Sequence, residues 1–236
     1  MIDLAPSRTP LDRFVRELEA QAPRSIAGLA PSLEGASPED VRAARLAWSA
    51  RARDEYRSVL VFTELLGLLA RAGAPFDALA AVQRLIGDEL RHVRLCLEVA
   101  GWFGPPLSSE IDPDPLPPID EPIEARAIEI VARELLVAEE ESVLVLRAYR
   151  DATSDAACRT ALAILLADEV RHAAAGRWLL PRLAHAFAKR PIGGTLARLG
   201  PVLEEDRAHI RAQHAAGATG GPGRRFGASI EPHEAP

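Results

Sequence analysis

GDELRH (Gly87–His92) returns eighty positions later as ADEVRH (Ala167–His172), with Asp, Glu, Arg and His unchanged. The chain has 6 histidines, and two of them close the same phrase. Residues three apart on a helix share a face, so Glu89 points with His92, and Glu169 with His172. Helical spacing surrounds Glu89 with Val82, Leu85, Ile86, Val93 and Cys96, and Glu169 with Leu162, Leu165, Leu166, Ala173 and Gly176. Each Glu–His pair therefore sits in the middle of an apolar stripe. A carboxylate on an inward face is costly unless it is paired or metal-bound. One ExxH is an everyday surface pattern. Two copies, each centred in an apolar stripe and each at the same stage of a hairpin, point to a buried site.

The surrounding sequence supplies the rods for such a site. Ser37, Pro38, Glu39 and Asp40 form a strong helix start, and this first long helix is expected to run to about Arg71, where RAGAP (71–75) stops it. A second helix is expected over about 77–103. Residues 104–122 hold seven prolines in nineteen positions and cannot be helical. Extended at ~3.1 Å per residue, they reach roughly 60 Å, against about 38 Å for a 25-residue helix, so they can return the chain along a whole bundle. A third helix is expected over about 123–149 and a fourth over about 155–185, with Pro181 a point of disturbance. The expected fold is all-α: a four-helix bundle over 37–190 made of two antiparallel hairpins joined by a long crossover. Residues 1–36 read as a short helix (TPLDRFVRELEA) and a loop, 191–216 as an accessory helix, and 217–236 as a disordered tail.

Composition agrees. The 236 residues are 48% hydrophobic and only 5% aromatic, enough for a sizeable core in a helix-former's alphabet. A net charge of −6 gives no electrostatic footprint for nucleic acid. Two cysteines, Cys96 and Cys158, make neither a disulfide framework nor a CxxC pair. No signal peptide and no membrane-spanning stretch is visible, and a cytoplasmic location is expected.

A bundle site needs a further carboxylate on each partner helix. In an antiparallel hairpin, residues at equal height are equidistant from the turn. Glu55 and Glu89 have their midpoint at Ala72, inside RAGAP; Glu139 and Glu169 have theirs at Ser154, inside DATSD. Glu64 lies nine residues from Glu55, about half a turn out of phase. Glu140 would share its stripe with Arg133 and Arg147. Glu141 stays open as an alternative to Glu139. EYRSVLVF (55–62) also aligns with EEESVLVL (139–146), so the hairpin looks duplicated. Four carboxylates and two neutral imidazoles carry a charge near −4, which two divalent ions balance, and oxygen–nitrogen ligation suits iron or manganese.

These residues resemble the ferritin-like di-iron carboxylate superfamily over roughly 38–185, and the fuller phrase D-E-x-R-H resembles its oxygen-activating branch. The resemblance implies two iron ions (or manganese) held by Glu55, Glu89, His92, Glu139, Glu169 and His172. It implies that Asp88 holds His172, that Asp168 holds His92, and that Arg91 and Arg171 balance those aspartates. The position four residues after His92, a radical tyrosine in the ribonucleotide reductase subunit, is Cys96 here, so no tyrosyl radical is expected. The function implied is a di-iron oxidase or oxygenase that uses O2 to oxidise a small organic substrate. Electrons would come from a ferredoxin or flavin reductase; a homodimer is left open. Iron or peroxide handling without an organic substrate is the alternative, and a metal-free helical scaffold a third. The first two require the carboxylates of Glu55 and Glu139 within about 8 Å of the imidazoles, given ions ~3.5–4 Å apart.

Overall fold

The computed structural model describes residues 25–107, 122–217 and 221–228. Among these residues there is no strand, and the helices pack as a bundle. Helix α1 is Pro38–Ala72 and α2 is Phe76–Gly101. The third rod is composite: α3 (Ile123–Ile130), a π-helical stretch (Val131–Ala138) and α4 (Glu139–Ala152). Helix α5 is Ala156–Ala186, and α6 is Gly193–Gly217. The expected short helix near residues 9–20 and most of the proline-rich crossover lie outside the described residues.

The punctuation read from the sequence sets the hairpins. Ser37 and Asp40 close a reciprocal capping box around Pro38 at the first position of α1. Gly73 ends that helix in the left-handed region (φ 69°), which a residue without Cβ enters freely. Asp155 caps α5 by accepting from the Cys158 backbone N–H at 3.0 Å. Pro181 does not break α5. Helices α1 and α2 form one hairpin, and the third rod forms the other with α5. Across the bundle α1 meets α3 and α2 meets α5, while α6 lies along the outside of the third rod.

The core divides into two apolar clusters. One gathers Phe62, Leu65, Val82, Leu85, Leu135 and Leu179; the other gathers Trp48, Cys96, Val99, Leu146, Leu162 and Phe226. The glutamates and histidines of the repeated phrase stand between them along the chain of each helix. This split is what leaves a polar layer across the middle of the bundle.

The tail differs from expectation. Residues 221–228 dock on the bundle rather than hanging free. Phe226 is fully buried and packs against Phe103 with ring centroids 4.9 Å apart. Its carbonyl accepts from Trp48 Nε1 at 2.9 Å, Asp40 accepts from the Gly223 N–H at 2.7 Å, and Arg225 donates to the carbonyls of Ser32 and Glu34. A Gly-rich composition signalled disorder, but one aromatic ring with a pocket waiting for it outweighs that tendency.

Candidate metal centre

Six side chains from four rods meet in the polar layer. Glu55 comes from α1, Glu89 and His92 from α2, Glu139 from the first residue of α4, and Glu169 and His172 from α5. Glu89, His92, Glu169 and His172 are at most 3% exposed. The ring of His92 faces that of His172 with centroids 5.6 Å apart.

Both Nδ1 atoms point into the cluster. His92 Nδ1 lies 3.3 Å from Glu55, 3.4 Å from Glu89 Oε2 and 3.4 Å from Glu169 Oε1. His172 Nδ1 lies 2.9 Å from Glu89 Oε1, 3.5 Å from Glu169 Oε2 and 3.9 Å from Glu139. Glu89 and Glu169 thus each reach both imidazoles, one oxygen per ring, while Glu55 and Glu139 each serve one. The donor atoms fall into two sets that share Glu89: Glu55, Glu89, His92 and Glu169, and Glu89, Glu139 and His172.

The geometry fits metal ions better than it fits hydrogen bonding. Both oxygens of Glu89, Oε2 of Glu169 and Nδ1 of His172 are buried and make no hydrogen bond, although His172 Nδ1 lies 2.9 Å from Glu89 Oε1 and 3.5 Å from Glu169 Oε2, and Glu89 Oε2 lies 3.4 Å from His92 Nδ1. Buried polar groups in native proteins are ordinarily satisfied. Atoms this close but out of line for a hydrogen bond leave their lone pairs for a shared cationic centre. The donor set, oxygen with imidazole nitrogen, suits divalent iron or manganese, and four carboxylates match the charge of two such ions.

The outer nitrogens are held from across the bundle. His92 Nε2 lies 3.0 Å from Asp168, and His172 Nε2 lies 3.4 Å from Asp88. Arg91 reaches both Asp88 and Asp168, and Arg171 also reaches both. The four residues after and before the glutamates of the phrase therefore form one crossed network, each half orienting the other half's imidazole. A carboxylate there fixes the tautomer that leaves Nδ1 free to ligate and raises its basicity. Burial pushes Asp88 up, but the hydrogen bond and charge of His172, with Arg91 and Arg171, hold it down at about 2. Asp168→Asn is expected to weaken metal binding ten- to a hundredfold with little loss of fold; competition with a chelating dye measures it, and unchanged affinity would remove Asp168 from the site.

Third-rod alternatives are resolved by direction. Glu139 faces His172, whereas Glu141, also buried, turns the other way and is gripped by Arg211 at 2.8 and 2.9 Å and by Arg207. Glu140 pairs with Arg177 and Arg207, and Glu64 with Arg126. The π-helical stretch was not legible in the sequence. There the backbone closes wider turns than an α-helix, so the face carried forward to Glu139 shifts. Arg57, two residues beyond Glu55, ties α1 to this stretch through a two-pronged bond to Glu134 at 2.9 and 3.1 Å.

Without metal, the cluster must hold protons. Burial raises Glu55 to about 8, against the pull of His92, and raises Glu139 well above the ordinary carboxylate range, with Glu169 adding to the effect. Burial opposes charge on His92 and His172, but the surrounding carboxylates override it and raise both well above the usual histidine value. Ligands must shed such protons before they bind a cation. Raised groups hold more protons in the free state than in the loaded one, so metal affinity is expected to climb with pH through neutrality. Calorimetry in buffers of different ionisation enthalpy should show net proton release near pH 7; affinity flat between roughly pH 6 and 8 would contradict this.

What fold and site define together is an all-helical bundle with a buried carboxylate–histidine cluster able to hold metal ions. No family model, curated protein or solved structure matches the chain. Among the described residues, no helix is long and apolar enough to cross a membrane.

Proposed function

We propose that this protein is a non-haem di-iron oxidase or oxygenase of the ferritin-like kind, acting on a small organic substrate. The observation that carries the reading is the pair of carboxylates, Glu89 and Glu169, each spanning both imidazoles, with Glu55 and Glu139 capping the two ends. Glu55, Glu89, His92, Glu139, Glu169 and His172 would hold the ions, with manganese the other metal this donor set accepts. Iron bound there supplies the electron exchange with dioxygen that a protein side chain cannot.

The chain's own residues do the rest. Asp88 and Asp168 keep the outer imidazole protons in place. Arg91 and Arg171 neutralise those aspartates at the bundle surface. The two apolar clusters on either side keep bulk water from the polar layer, which strengthens every electrostatic interaction within it. Oxygenase chemistry consumes electrons, so an electron-donor protein, a ferredoxin or a flavin reductase, belongs to this reading, with a cytoplasmic setting.

The test is direct. Protein loaded anaerobically with ferrous iron is exposed to air with a chemical reductant and candidate substrates. Catalytic, substrate-dependent O2 consumption is expected, with about two irons per chain. Stoichiometric iron oxidation with no organic turnover would replace this reading with iron or peroxide handling. Fewer than about one metal per chain would favour a metal-free scaffold.

A further inference from the structure

Arg51 lies four residues before Glu55 on α1, on the same face and about 6 Å along the helix. Its guanidinium carbon sits 4.5 Å from the centroid of the fully buried Trp48 ring and 5.5 Å from that of Tyr149. Its charge acts against the burial that pushes up the thiols of Cys96, one turn beyond His92, and Cys158, and it acts on Asp54 as well. The side chain as a whole is half-buried, so it stands between solvent and the interior beside the metal centre.

One nitrogen, Nη1, is removed from solvent and meets no hydrogen-bond acceptor among the described residues. A guanidinium is always charged and carries donors only. Other arginines packed against the bundle are matched: Arg57 with Glu134, Arg126 with Glu64, Arg133 with Asp206, Arg182 with Asp77. The acid next along the helix, Asp54, is hydrogen-bonded by Arg53 at 3.2 Å and feels Arg51 through charge alone. Stacking on two aromatic faces offsets part of the cost of a buried cation and also fixes the plane of the fork. It supplies no acceptor. An oriented guanidinium with one buried nitrogen left without an acceptor is a costly feature for a structural residue and a useful one for a residue that awaits an anion.

We infer that Arg51 anchors the anionic head of the small molecule acted on at the metal centre, and that this head is a carboxylate. The inference deepens the function proposed above and rests on it. A planar carboxylate accepts two parallel hydrogen bonds from a guanidinium fork. Glu55, one helical turn along α1 from that head, is the ligand nearest in the chain to the carbon skeleton that follows it. On the opposite side of the centre, on α5, one turn beyond His172, Gly176 packs so closely on the backbone of Leu135 that an added Cβ would lie 2.6 Å from that carbonyl oxygen.

The full chain, metal-free and manganese-loaded, is titrated with propionate, butyrate and benzoate, and in parallel with their uncharged amides. Binding is read from Trp48 emission in a Trp102→Phe, Trp178→Phe background and from Tm. The acids are expected to bind saturably, at least tenfold tighter than the amides, in the metal-free form as well as the loaded one. Arg51→Met is expected to lose that preference while keeping the wild-type manganese content, and Arg51→Lys, which keeps the charge without the fork, to retain part of it. Acids and amides binding alike, no acid binding, or undiminished acid binding by Arg51→Met would each overturn the inference. Acid binding at Arg51 in a protein that takes up no metal would instead refute the function proposed above and leave the anion site standing.

Discussion

Glu89→Ala is expected to leave the protein with less than one metal ion per chain where the wild type is expected to hold about two. No other side chain is so central. Glu89 belongs to both donor sets, its two oxygens face different imidazoles at 2.9 and 3.4 Å, and neither makes a hydrogen bond. Removing it takes a ligand from both halves at once. The stabilisation that metal confers should vanish too. A ligand present at a hundred times its Kd stabilises the native state by about 2.7 kcal/mol, worth roughly 5–10 °C in Tm for a chain of this size. Elemental analysis and calorimetry with and without Mn(II) read both effects. Glu141→Ala is the control: that carboxylate is just as buried but is held by Arg207 and Arg211, so metal content should hold. Wild-type loading in the Glu89 variant would remove the metal centre from consideration.

Gly176→Ala is expected to cost roughly 3 kcal/mol, the upper end for overpacking by one carbon, and to weaken metal binding as well. The new Cβ would lie 2.6 Å from Leu135 O, 2.9 Å from Leu135 C and 3.0 Å from Leu136 Cα. These are backbone atoms, which cannot turn aside as a side-chain tip can. The two rods must part, and Leu135 stands one turn before Glu139, so the carboxylate moves with them. A Tm lowered by roughly 6–12 °C follows for a chain of this length. Gly67, exposed inside the C-terminal part of α1 with nothing within 4 Å of an added Cβ, is the contrast. Gly67→Ala should stabilise by up to about 1 kcal/mol through helix propensity alone. Equal behaviour of the two variants would show that the contact at Gly176 carries no strain.

The candidate site was largely legible because its information is local and repeated. A three-residue spacing puts Glu and His on one face whatever surrounds the helix. Midpoints falling in two turn signals fix the height of Glu55 against Glu89 and of Glu139 against Glu169. Even the crossed bonds from Asp88 to His172 and from Asp168 to His92, implied by resemblance, stand in the structure at hydrogen-bond distance. The reading faltered where neighbours rather than periodicity decide. Nothing in VARELLVA (131–138) announces a π-helical stretch, since its residues suit an α-helix equally well. The tail's composition signals disorder, and composition cannot see the cluster of Trp48, Phe103 and Leu162 that Phe226 joins. Arg51 carries no signal in the sequence, because only burial shows that its Nη1 lacks an acceptor among the described residues.

Sequence alone determined the helices, their stops, the hairpin pairing and the residue types at the polar layer, because each follows from short-range rules of spacing, capping and turn geometry. Tertiary structure decided which glutamate of the run 139–141 enters the cluster, how closely α5 meets the third rod, and where residues 221–228 lie. Those outcomes depend on contacts between segments far apart in the chain. Gly176 against Leu135 and Arg211 against Glu141 select among backbone and side-chain arrangements that local preference leaves nearly equal in energy.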